Sequence, residues 1–104
     1  MNPDLTELRD ALRRFAAERD WRRYHTPKNL AMALIVEAAE LVEHFQWATP
    51  EESSALAPEK AAAVEDEIAD VFIYLVELAD VLDIDLIAAA GRKMQKNAIK
   101  HPPR

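Results

Sequence analysis

The chain has 104 residues, no cysteine and a formal net charge of −6. That length implies one domain, residues 1–104, and the missing cysteine excludes disulfides, thiolate zinc sites and cysteine nucleophiles. The negative charge argues against a nucleic-acid polymer as partner, and charges interrupt every apolar stretch before membrane-span length.

One glycine, abundant alanine and no alternating apolar pattern predict an all-α chain. Pro3 after Asn2 suits a first helical turn, and Leu5, Leu8, Leu12, Phe15 and Ala16 mark one face of a helix reaching about Arg19. Trp21 to His25 form an aromatic and basic connector. Thr26-Pro27 is an N-cap with proline at the first helical position, opening a second helix to about Gln46. Thr49-Pro50-Glu51-Glu52 repeats that start signal and predicts a short helical turn, followed by a loop from Ser53 to Pro58. A third long helix runs from about Glu59 to Leu82, with Val64, Ile68, Val71, Leu75, Leu78 and Leu82 as its expected core stripe. Asp83 or Asp85 caps a last helix that continues to about Lys100 and ends at His101-Pro102-Pro103. The expected architecture is a four-helix bundle. So small a domain buries only about 60% of its unfolded surface, so a homo-oligomer is expected. No signal segment precedes Asp4, and a cytoplasmic protein is the default expectation.

Charge is unevenly placed. Of nineteen acids, fourteen lie between Leu30 and Gly91, where Lys60 is the only base, and the remaining bases occupy the two flanks. Solvated helix faces would explain this, as would an acidic metal centre flanked by phosphate-holding cations. Within the acidic stretch, Glu37-Ala-Ala-Glu40 and Glu67-Ile-Ala-Asp70 each place two carboxylates three residues apart on one helix face. Glu37 and Glu40 sit among Leu34, Ile35, Val36, Ala38, Ala39, Leu41 and Val42, and Asp70 lies between Ile68 and Val71. A helix apolar nearly all round is normally buried, and enclosed charge needs compensation. An exposed acidic face on each helix is the plain alternative. If the two helices face each other, four carboxylates without thiolate or imidazole suit Mg²⁺, with Mn²⁺ as substitute, rather than zinc. A ferritin-like di-iron site needs Glu-x-x-His pairs, and no histidine here has Glu three residues before it.

The E-x-x-E, the 26-residue gap and the E-x-x-D resemble the all-α MazG-like nucleoside triphosphate pyrophosphohydrolases. Phe15-Ala-Ala-Glu-Arg-Asp-Trp21, His25-x-Pro-x-Asn29-Leu30, Phe45-Gln-Trp47, Asp70-Val-x-Ile-Tyr74-Leu and Lys93-Met-x-x-Asn97 are similar to the dCTP pyrophosphatase branch. The resemblance implies Mg²⁺-dependent hydrolysis of a nucleoside triphosphate to the monophosphate and pyrophosphate, by a dimer or tetramer. It implies Glu37, Glu40, Glu67 and Asp70 as metal ligands; whichever of Glu37 and Glu40 is not fully consumed by metal could then take a proton from the attacking water. Lys93, Asn97 and Lys100 would meet the phosphates, and Trp21, Trp47, His25 and Tyr74 would border base and sugar. Core packing is the alternative for the aromatics. Leu12 departs from the branch, whose animal members carry histidine there, which weakens the case for strict dCTP preference. Two other readings stand beside this one: a non-catalytic helical nucleotide-binding or dimerisation module, and the same enzyme class acting on dUTP or a damaged nucleotide.

Overall fold

The computed structural model describes residues 3–104. Its helices are α1 (Pro3–Glu18), α2 (Pro27–Glu43), α3 (Pro50–Ser53), α4 (Pro58–Val81) and α5 (Leu86–Lys100), with a 3₁₀ turn at Arg22–Tyr24, and the described residues contain no strand. Asn2 lies outside the described residues.

The starts follow local chemistry. The Thr26 hydroxyl accepts from the Asn29 amide at 3.1 Å, and the Asn29 side chain donates to the Tyr24 carbonyl at 2.9 Å, tying the connector to the first turn of α2. Thr49 and Glu52 form a reciprocal capping box at 3.1 and 3.0 Å. Asp85, not Asp83, caps α5, accepting from the Ala88 amide. The stops are less ordinary. α1 and α4 both end in Schellman motifs, with Trp21 N–H donating to Ala16 O at 2.9 Å and Ile84 N–H to Ala79 O at 2.8 Å. The left-handed position, usually glycine, is Asp20 (φ 56°) and Asp83 (φ 54°).

The long central helix α4 packs extensively along α2 and more lightly against α1. Arg13 ties α1 to α4 by a two-pronged bond to Asp80, its Nε donating to Oδ2 at 2.8 Å and its Nη2 to Oδ1. The core is small: Leu5, Ala16, Leu30, Val64, Val76 and Ala79.

Within one chain α5 has no packing partner comparable to the α2–α4 pair. One expectation is corrected: the core stripe of α4 is different. Val64 is buried, but Ile68, Leu75 and Leu82 are exposed, and Val76 and Ala79 are buried instead. Periodicity marks an apolar arc; how much of it α1 and α2 cover depends on their placement. The uncovered surface is large. The radius of gyration is 16.5 Å, against about 13 Å for a compact chain of this length. The accessible surface is 8053 Å², roughly 2,000 Å² more than a compact monomer of this mass.

Candidate functional site

The α2–α4 seam brings the two acidic motifs together. Carboxylate oxygens of Glu37, Glu67 and Asp70 lie within 4.8 Å of one another. Glu40 is close enough to Glu37 and Glu67 to disfavour ionisation of both. One oxygen of Glu37 and one of Glu67, in each case Oε2, is shielded from solvent and has no hydrogen-bond partner. Buried, unpartnered oxygens are costly, and crowding them costs more. Burial, then hydrogen bonding with Glu67 and Glu40 and their charge, push the Glu37 carboxyl up to about 7. Glu67 is raised as well, first by burial. A divalent cation would satisfy the orphaned oxygens and cancel the repulsion, and an all-oxygen donor set suits a hard ion. These acids therefore fit such an ion.

Asp70 also lines a cavity of about 310 Å³ beside the cluster. Phe15, Trp21 and Tyr74 supply its aromatic walls, Leu12, Ala16 and Ile73 its apolar surface, and His25 and Glu77 its remaining polar groups. Its size falls at the small end for ligand pockets, about 300–1,000 Å³. The Schellman turn at the end of α1 sets Trp21 edge-on to Phe15, with centroids 5.6 Å apart and planes at 64°. Burial raises the Tyr74 hydroxyl, followed by the charges of Glu37, Glu77 and Asp70. Glu77 is shielded (side chain 15% exposed), with His25 Nδ1 at 3.8 Å. Burial pushes its carboxyl up, opposed by His25.

Glu37, Glu40, Glu67, Asp70, Tyr74, Trp21 and His25 thus gather around one seam and its adjoining cavity. Trp47 does not line that cavity and is 90% exposed. Lys93, Asn97 and Lys100 are exposed on α5, where Asn97 borders a separate open hollow with Met94, Ala98 and His101. Glu77 shares the Glu67, Asp70, Tyr74 stripe in the sequence, one helical turn beyond Tyr74, but nothing in the sequence assigned it a role in the site.

The arrangement defines an all-helical protein with a carboxylate centre opening onto an aromatic cavity. Residues 32–103 match the MazG-like family. The chain belongs to that family. It is 43% identical over 102 residues, 96% of its length, to dCTP pyrophosphatase 1 of Bos taurus and equally to that of Homo sapiens. It spans 60% of the length of those relatives. It is also similar to the crystal structure of a pyrophosphatase from Archaeoglobus fulgidus, with a TM-score of 0.92 and 46% identity over 99% of this chain and 96% of that one. No helix among the described residues is long and apolar enough to cross a membrane.

Proposed function

We propose that this chain hydrolyses a deoxynucleoside triphosphate of the dCTP class to the monophosphate and pyrophosphate, serving cytoplasmic nucleotide-pool housecleaning. One observation carries the reading: the orphaned carboxylates of the α2–α4 seam share Asp70 with an aromatic cavity of nucleobase size. Phosphates can then lie at the acids while the base lies between Trp21 and Tyr74. The relatives' names support the same chemistry.

In this reading Glu37, Glu40, Glu67 and Asp70 hold Mg²⁺, or Mn²⁺ in its place. When bound, the ion supplies charge neutralisation of the triphosphate and a lowered pKa for water. Glu37 or Glu40, whichever keeps a free oxygen, accepts the proton of the attacking water. Lys93, Asn97 and Lys100, at i, i+4 and i+7 on α5, take charge on the leaving pyrophosphate. Trp47 closes the base side.

A second copy of the chain completes this assembly. Ile35, Val36, Val42, Ile68, Phe72 and Leu75 expose a broad apolar surface in one protomer. The excess area of roughly 2,000 Å² per chain matches what obligate homo-oligomers bury. Packing on that surface brings the exposed residues of α5 and Trp47 to a shared site. Light scattering should report a dimer or tetramer; a fully active monomer overturns this part. Neither a nucleic-acid polymer nor a membrane is a proposed partner.

The test is pyrophosphate release over a panel of dNTPs and NTPs, with and without Mg²⁺. Glu40→Gln and Asp70→Asn should each abolish release while circular dichroism remains helical. Near-full activity in both variants would refute the metal assignment. A melting shift with dNTPs but no pyrophosphate would identify a binding module instead.

A further inference from the structure

The cavity beside the acids contains a polar group that neither the metal centre nor the proposed hydrolysis uses. Glu77 lies on α4 seven residues beyond Asp70 and three beyond Tyr74, so all three line the same cavity. Seven residues advance a helix by roughly 10 Å. That leaves room for a sugar and a ring between phosphates at Asp70 and a base edge at Glu77. Glu77 Oε2 is shielded from solvent and makes no hydrogen bond. His25 Nδ1, at 3.8 Å, is beyond hydrogen-bonding distance. The guanidinium of Arg13, which lines a neighbouring hollow with Glu77, is held by Asp80. Glu77 therefore offers an unmet acceptor in a cavity whose other lining residues, Asp70 and His25 apart, are aromatic or aliphatic.

We propose that Glu77, with His25 beside it, reads the edge of the base in this cavity and selects an exocyclic amino group over a carbonyl. The inference rests on the reading that a nucleoside triphosphate places its base here. An ionised carboxylate only accepts hydrogen bonds, and a protonated one keeps an accepting oxygen. An amino N–H, such as cytosine N4, satisfies Oε2. The O4 carbonyl of uracil or thymine meets it lone pair to lone pair. His25 can donate from its ring to a neighbouring acceptor of the base; burial raises the Glu77 carboxyl, and His25 beside it opposes that rise. Because the discriminating acceptor is buried, the wrong base leaves it unpaired, which is how polar sites achieve strong rejection.

The test compares kcat/KM for dCTP and dUTP in the wild type and in Glu77→Gln, with binding of dCMP and dUMP measured by calorimetry. The glutamine is isosteric but can turn an N–H towards O4. The wild type should prefer the cytosine nucleotides in both assays. In Glu77→Gln the dCTP-to-dUTP preference should fall by about tenfold or more, as expected for one lost base contact, mainly through KM. An unchanged ratio in a variant with wild-type circular dichroism overturns the proposal. If the variant does not fold, equal or reversed wild-type binding of dCMP and dUMP overturns it. Failure of the hydrolase reading is separate: it appears as no pyrophosphate release from any triphosphate, and the monophosphate binding preference still judges Glu77.

Discussion

Stripping metal from the protein should make its stability depend on pH in the direction opposite to ordinary acid denaturation. The Glu37 carboxyl is pushed from 4.5 up to about 7, first by burial, then by hydrogen bonding with Glu67 and Glu40. A folded-state value above the unfolded one means the folded protein holds the proton more tightly. The resulting stabilisation is fully present below about pH 4.5, declines as pH rises, and is gone above about pH 7. At 1.36 kcal/mol per tenfold change in proton affinity, the limit is about 3.4 kcal/mol. Glu37 is only half-buried, and solvent screening reduces this to about 1–2 kcal/mol. For a domain of this size that is about 4–8 °C in melting temperature per kcal/mol. The assay is thermal unfolding of EDTA-treated protein between pH 5 and pH 8 at one fixed protein concentration, with Glu37→Gln in parallel. The wild type should lose melting temperature as pH rises, and the variant should lose less. Saturating Mg²⁺ should restore stability at pH 8, by about 2.7 kcal/mol at a hundred times its Kd. A metal-free melting temperature identical at both pH values, or an identical slope in Glu37→Gln, would refute the reasoning.

Other substitutions separate the scaffold from the site. Leu30, just inside α2, is 1% exposed, so Leu30→Ala should cost about 2–5 kcal/mol in urea unfolding; a loss under about 1 kcal/mol would mean the core lies elsewhere. Trp47→Ala should raise KM while leaving the protomer's fold intact, because a 90% exposed side chain contributes within about 0.5 kcal/mol. A lowered melting temperature with unchanged KM would make Trp47 an interface residue and remove it from the site.

The starts of α2, α3 and α5 were legible in the sequence because side chains make them. Thr26, Thr49 with Glu52, and Asp85 each spend an oxygen on an exposed amide, and the residues adjoining them announce it. The stops of α1, α4 and α5 fall within one residue of their expected positions, but the left-handed turns that make two of them were not legible, because the usual mark is glycine and the single glycine, Gly91, lies inside α5. Asp20 and Asp83 carry that conformation unannounced. The consequence reaches the site, since the turn at Asp20 is what directs Trp21 onto Phe15 and into the cavity wall. The pairing of Glu37 with Glu67 and Asp70 was legible from i, i+3 spacing on two apolar helices. The reach of α5 was not, because nothing in its spacing says whether its partner is in the same chain.

The Glu37 carboxylate is partly enclosed, but not by the apolar residues of its own helix. Apolar neighbours of Glu37 were expected to bury it, yet Ile35 is 65% and Val36 is 55% exposed in the protomer. What shields the Glu37 oxygen is α4 across the seam, and what α4 brings there is more acid, Glu67 and Asp70. Apolar residues around a charge on its own helix therefore say little about that charge. They describe the surface the helix turns to other partners, here the one proposed for a second copy. The same separation applies to α4, where Tyr74 and Glu77 line the cavity while Phe72 and Leu75 are exposed. One helix can thus carry the ligand-facing stripe and the proposed assembly surface at once. A charge inserted at Phe72 should dissociate the proposed oligomer while leaving the acids in place, which would make assembly separable from the proposed metal centre by mutation.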